Sequence, residues 1–134
     1  MRPAGRLYSG KRRDGADDQD MTELTTVEQF DARLQSDSEA PVFILKHSTT
    51  CPISAGAFRR VQDFLREAGD AAPEFCLVRV RESRPVSNAI ADRLGVVHQS
   101  PQLLMVRGGR CVWHTSHYDV TAENIKKALR ERAA

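Results

Sequence analysis

Apolar side chains recur along this chain in two rhythms. Val27, Phe30 and Leu34 stand three and four residues apart, the repeat that lines up one face of a helix. Thr25 with Glu28 fits a capping box that would open this helix. Val42-Phe43-Ile44-Leu45, behind Pro41, is instead an unbroken apolar run. Such a run suits a strand buried on both faces, as in a parallel sheet. The polar stretch His47-Ser48-Thr49-Thr50 leads into Cys51-Pro52, and Ala55, Phe58, Val61 and Leu65 restore the helical repeat at once. Pro52 fits the first turn of that helix, where its missing N–H costs nothing.

Phe75 to Val80 forms a second apolar, β-branched segment and is expected to be a strand. Pro85 starts a further helix carrying Val86, Ala89, Ile90 and Leu94, with Gly95 as its stop. Gln102 to Val106 and Cys111 to Thr115 flank Gly108-Gly109, which reads as a β-hairpin. Thr121 caps a last helix bearing Ile125, Ala128 and Leu129. The expected order is α-β-α-β-α-β-β-α. Parallel strands linked by helices and closed by a hairpin and a helix describe an α/β, thioredoxin-like sandwich, with a mixed four-stranded sheet flanked by helices. Residues 1–21 fall outside this pattern. They are polar, with Gly5, Gly10 and Gly15, a basic run at Lys11-Arg12-Arg13, and Asp14, Asp17, Asp18 and Asp20 behind it. They are expected to form a disordered extension, leaving 22–134 as the folded domain.

The composition narrows the class. A chain of 134 residues with 40% hydrophobic and 28% charged positions is long enough for one domain with a modest core. No apolar run approaches the roughly 20 residues of a membrane span, and the basic N-terminal residues have no apolar stretch behind them. A cytoplasmic location is therefore expected. The net charge of +2, with acids and bases interleaved, argues against nucleic acid as a partner. Three cysteines, Cys51, Cys76 and Cys111, are too few and too scattered for a secreted disulfide framework. None pairs as C-x-x-C, and no zinc-ligand spacing is present. Neither a metal nor a bound cofactor is expected.

The chemistry centres on Cys51. It sits between a buried strand and a helix N-terminus, where free N–H groups and the helix dipole favour a thiolate. Ser54 and the backbone N–H groups after Cys51 are available to donate to the sulfur. In Cys51-Pro52-Ile53-Ser54 a serine occupies the second-cysteine position of a C-x-x-C pair. Serine cannot close a disulfide, so mixed-disulfide exchange with a second, separate thiol remains. Pro101, in Gln99-Ser100-Pro101-Gln102, matches in this fold order a cis-proline facing the cysteine, with the Ser100 backbone turned toward an extended substrate. Thr50, Pro52, Ser54, Ser100 and Pro101 thus form the candidate substrate-contacting set. His47 is either a proton shuttle beside Cys51 or a surface histidine at a strand end. Cys76 reads as a buried, inert thiol and Cys111 as partly exposed; either is a candidate resolving thiol. His98 reads as a loop residue. His117 with Asp119 reads as structural rather than as a dyad, and Trp113 and Tyr118 as packing aromatics rather than a ligand groove.

The segment Lys46-His47-Ser48-Thr49-Thr50-Cys51-Pro52-Ile53-Ser54 resembles the active-site stretch of the YtxJ family, the monothiol bacilliredoxins. Ser116-His117-Tyr118-Asp119-Val120-Thr121 resembles that family's stretch before its last helix. The resemblance runs from about Glu23 to Leu129, and the extension before it has no counterpart. It implies a thioredoxin-like fold and a role in low-molecular-weight thiol metabolism under oxidative stress. The implied reaction removes bacillithiol, a cysteine-bearing sugar conjugate, from oxidised protein cysteines. Bacillithiol would be a co-substrate and bacillithiolated or otherwise oxidised proteins the partners, with Cys51 as nucleophile and Pro101 as the substrate-facing proline. Two other readings stand beside this one: a thioredoxin-like binding module in which Cys51 is incidental, and a general monothiol disulfide reductase that does not use bacillithiol. An iron–sulfur carrier role finds no glycine-rich loop to support it.

Overall fold

The computed structural model describes residues 21–35 and 39–132; of the extension expected at 1–21, residues 1–20 lie outside them, and Met21 belongs instead to the folded domain, buried in the same core cluster as Phe43 and Phe75. Among the described residues five strands and four helices follow one another: β1 Thr22–Glu23, α1 Val27–Leu34, β2 Val42–His47, α2 Pro52–Ala68, β3 Glu74–Arg79, α3 Arg84–Leu94, β4 Gln102–Arg107, β5 Arg110–Ser116 and α4 Ala122–Arg132. The strands form one mixed sheet in the order β1-β3-β2-β4-β5. β1, β3 and β2 run parallel, and β4 and β5 are antiparallel to their neighbours.

The sheet has one strand more than expected. β1 is two residues long, too short for any periodic signal, and exists because Thr22 and Glu23 pair with Cys76 and Leu77 of β3. The Leu24 N–H continues the ladder to the Leu77 carbonyl at 2.9 Å. That extended stretch also moves the first helix cap by one residue. The capping box is Thr26 with Gln29, not Thr25 with Glu28. Gln29 Oε1 takes the backbone N–H of Thr25 at 2.7 Å and of Thr26 at 3.2 Å.

Period-two alternation along the strands sends side chains to two cores. Phe43 and Leu45 of β2 join Phe75, Leu77, Leu103 and Met105 beneath α2 and α4. Ile44 joins Cys76, Val78 and Leu104 beneath α1 and α3. The Phe43 and Phe75 rings stack at 4.7 Å across the β2–β3 pair. The predicted hairpin turn is present, with Gly108 at φ 59° and Gly109 at φ 78°, the two positive values a tight I′-type turn demands. Thr121 Oγ1 accepts the Asn124 N–H at 3.1 Å at the start of α4, as its capping role requires. No helix among the described residues is long and apolar enough to cross a membrane.

Candidate active site

The register fixes which loops meet. The C-terminal ends of β2 and β3 lie side by side, His47 against Arg79. The N-terminal end of β4 runs antiparallel beside β2, Gln102 against Lys46. Ser116, at the end of β5, faces Gln102. The 48–51 loop, the 80–83 loop, the 95–101 loop and the turn at 117–119 therefore all emerge at one end of the sheet.

Cys51 stands at that end as the N-cap of α2, half-buried, with Pro52 in the first turn. Its sulfur makes no capping hydrogen bond. Ser54, one turn into the helix, is fully buried, and its hydroxyl is directed away from the role expected of it. Ser54 Oγ accepts the Ser48 N–H at 2.9 Å and lies 2.8 Å from His47 Nδ1. The His47 ring nitrogen and the Ser48 N–H thus share one hydroxyl oxygen. Ser54 thus ties the Cys51 loop back onto β2 instead of donating to the sulfur.

His47 is correspondingly not a surface residue. It is 9% exposed and its ring stacks on Phe58 of α2 at 4.6 Å. Burial, and then the Arg79 guanidinium, hold its pKa below the ordinary histidine value, so the neutral ring is favoured. Thr50 is exposed, and its hydroxyl accepts from Arg81 Nη1 at 3.2 Å. Thr49 Oγ1 donates to Glu82 at 3.1 Å. The 48–51 loop is thereby pinned to the 80–83 loop.

The Ser100–Pro101 peptide is cis, as the fold order suggested, and Pro101 is buried at the start of β4. The Pro101 carbonyl accepts the His117 N–H at 3.0 Å. His117 itself has φ 54°, a left-handed conformation that costs a non-glycine residue about 1 kcal/mol or more. Arg60 of α2 clamps this turn by donating to the Val120 carbonyl at 2.6 Å and the His117 carbonyl at 3.3 Å. Ser100 Oγ is buried and meets no hydrogen-bond partner among the described residues.

The other cysteines lie elsewhere. Cys76 is fully buried in the middle of β3, opposite Ile44, and burial pushes its thiol up to about 12. Cys111 is half-buried beside the hairpin turn, donating to the Trp113 carbonyl at 3.3 Å, and burial raises its pKa too. It is five positions along β5 from Ser116, roughly 17 Å at strand spacing, at the opposite end of the sheet from Cys51. Trp113 packs edge-on to Phe43 at 6.3 Å, whereas Tyr118 is 71% exposed and packs in no core.

Residues 22–125 match the family described as monothiol bacilliredoxin BrxC. The chain belongs to the monothiol bacilliredoxin family. Among solved structures, a candidate oxidoreductase with a thioredoxin fold is 31% identical, with a TM-score of 0.72, over 83% of this chain and 95% of its own. Mitochondrial thioredoxin 3 from Saccharomyces cerevisiae, in its oxidised form, superposes with a TM-score of 0.66 at 14% identity, over 87% of this chain and 99% of its own. The thioredoxin of Fasciola hepatica gives 0.64 at 14%, over 82% and 97%. The last two likenesses carry the fold alone. This bacilliredoxin is thus a redox protein on a thioredoxin scaffold.

Sequence reasoning passed over three of its features. Lys46 is fully buried with its ammonium 3.1 Å from His98 Nδ1. Gln102, also buried, spans the 97–101 loop by donating to the Val97 carbonyl at 3.0 Å. Arg81 reaches Thr50. The one available signal was a lysine closing an otherwise apolar strand run.

Proposed function

We propose that this bacilliredoxin removes bacillithiol from mixed disulfides on oxidised proteins, with Cys51 as its single nucleophile. The reading rests chiefly on the placement of the three thiols. Cys51 alone stands where the loops converge, at the first turn of a long helix. Cys76 is sealed in the sheet and Cys111 is at its far end. Disulfide geometry requires Cα atoms within about 7 Å, so resolution is assigned to an external thiol.

The exchange then runs in two balanced steps. The Cys51 thiolate attacks the bacillithiol sulfur of a protein mixed disulfide. The Cys51–bacillithiol disulfide forms and the protein thiolate leaves and takes up a proton. A second low-molecular-weight thiol attacks the carried sulfur, a new small disulfide departs, and Cys51 returns as the thiolate. Thr50, Pro52, Ser100 and Pro101 are assigned to the path of the incoming disulfide, with the cis Ser100–Pro101 peptide turning the Ser100 backbone toward it. Ser54 and His47 act one layer behind, by holding the loop that presents the sulfur. The chemistry belongs to the reducing cytoplasm, where such thiols are kept reduced.

Intact-mass spectrometry after incubation with oxidised bacillithiol tests this. Wild type and the Cys76→Ser, Cys111→Ser double variant are expected to gain one bacillithiol on Cys51, and Cys51→Ser none. An inert Cys51 would leave a binding module. Equal reaction with any small disulfide would leave a general reductase. A wild type that ends as an internal disulfide, with the Cys51 adduct retained only in the double variant, would establish an internal resolving thiol.

A further inference from the structure

The end of the sheet that carries Cys51 is lined by positive charge with little to balance it. Arg81 sits one residue from the sulfur through its bond to Thr50 Oγ1 at 3.2 Å. Arg84, immediately after Ser83, opens α3 and is exposed. Among the described residues neither guanidinium has a carboxylate partner, whereas Arg79 is paired with Glu23 at 3.2 Å. Behind them stands Lys46, fully buried, whose ammonium donates to His98 Nδ1 at 3.1 Å. That bond puts the exposed ring's remaining proton on Nε2, so His98 offers a donor at the surface of the loop leading to Pro101. His98 has its pKa lowered first by burial and then by the charges of Lys46 and Arg84, which places all three groups in one field. Two acids stand in the loops at this end, Glu82, which accepts from Thr49, and Asp119 in the 117–119 turn, against the lysine and two arginines.

We infer that Arg81, Arg84 and the Lys46–His98 pair form a recognition rim for an anionic group, a carboxylate in the first instance, carried by the low-molecular-weight half of the disulfide that Cys51 attacks. This deepens the proposed function and rests on Cys51 being the nucleophile. The chemistry fits each part. Guanidinium groups pair with carboxylates in bidentate geometry. An N–H of neutral imidazole adds a directional bond. A buried ammonium behind the ring polarises that N–H and adds long-range attraction, because its field is poorly screened. A buried lysine without a carboxylate partner lowers fold stability, and Lys46 carries that cost while bonded to an exposed histidine of the loop that leads to Pro101.

The test compares small symmetrical disulfides of similar size and different charge: 3,3′-dithiodipropionate (dianionic), 2-hydroxyethyl disulfide (neutral) and cystamine (dicationic). Adduct formation on the Cys51 peptide is followed by mass spectrometry, and each rate is divided by that of a free model thiol to remove intrinsic reactivity. Wild type is expected to favour the dianion over the dication by about tenfold or more, the scale of electrostatic attraction at a charged cleft, and the preference should fade with added salt. The Arg81→Gln, Arg84→Gln variant should lose most of it. Lys46→Met should lose part of it while gaining thermal stability. Arg110→Gln, at the hairpin turn on the far end of the sheet, should keep it; loss in that variant would mean net charge alone is responsible and would overturn the rim. So would a wild-type preference no larger than the free thiol's, or one that survives in the double arginine variant. If Cys51 reacts with none of the three disulfides, the assignment of Cys51 itself falls and takes the rim with it.

Discussion

A single hydroxyl decides how the cysteine is presented. Ser54 Oγ is shared between the Ser48 N–H and the His47 ring, so Ser54→Ala strands a backbone donor and a ring nitrogen together. The expected loss is about 1–3 kcal/mol for an unsatisfied buried group, read as a lower denaturation midpoint with an unchanged m-value. His47, its ring partner, accounts for an acid sensitivity. His47 titrates lower in the folded than in the unfolded chain, so between those two values the unfolded chain binds more protons. Stability should therefore fall as pH drops below about 6.5, the unfolded histidine value, and His47→Phe should flatten that part of the profile. Lys46 acts at the other end of the scale. Its pKa is lowered from 10.5 to about 8 by burial. Folding thus carries a penalty of about 3 kcal/mol at neutral pH that is relieved as pH rises from 8 toward 10.5. Lys46→Met should be the more stable protein at pH 7, and its advantage over wild type should shrink across that window.

At the scale of the elements, two turns set the ends of the sheet. The hairpin turn holds Gly109 at φ 78°, and a Cβ there would meet the Leu34 carbonyl at 3.1 Å. Gly109→Ala should therefore cost on the order of 1–2 kcal/mol from the left-handed backbone alone, with the close approach adding to it. The effect should appear in thermal melts without change at Cys51, because the turn is at the opposite end of β4. The 117–119 turn is different in kind. It is held by Arg60 from α2 and by the Pro101 carbonyl, so it couples the helix that carries Cys51 to the proline loop. The segment that resembled the family before its last helix does structural work through backbone groups, and this is why no side-chain dyad of His117 and Asp119 is needed to explain it.

Across the whole molecule, the two cores fill both faces of one sheet, and Cys76 is a reporter of their integrity. It is fully buried and its thiol is pushed up to about 12. Alkylation of Cys76 should proceed only through opening of the sheet. In native buffer Cys51 is expected to be labelled first by iodoacetamide, and Cys76 at a rate that follows the opening free energy as denaturant is added. Phe75→Ala, which removes the ring stacked on Phe43, should lower global stability by about 3–5 kcal/mol and accelerate Cys76 labelling accordingly.

The chain alone carries the order of every element but β1, the α/β class, the hairpin at Gly108-Gly109, the cysteine at a helix start and the cis-proline before β4. Each of these rests on local signals: side-chain periodicity, the obligatory positive φ of a tight turn, and proline and glycine at element ends. Long-range packing settled the rest. β1 has no periodicity of its own and is made by its pairing with β3. The capping box shifted from Thr25 to Thr26 because Leu24 is still held in the sheet. His47 and Lys46, adjacent in sequence, part to opposite faces of β2, one to stack on Phe58 and bind Ser54, the other to reach His98 from beneath. Which partner a polar side chain finds depends on what a distant segment brings within 3 Å, and that is a property of packing, invisible to any window along the chain.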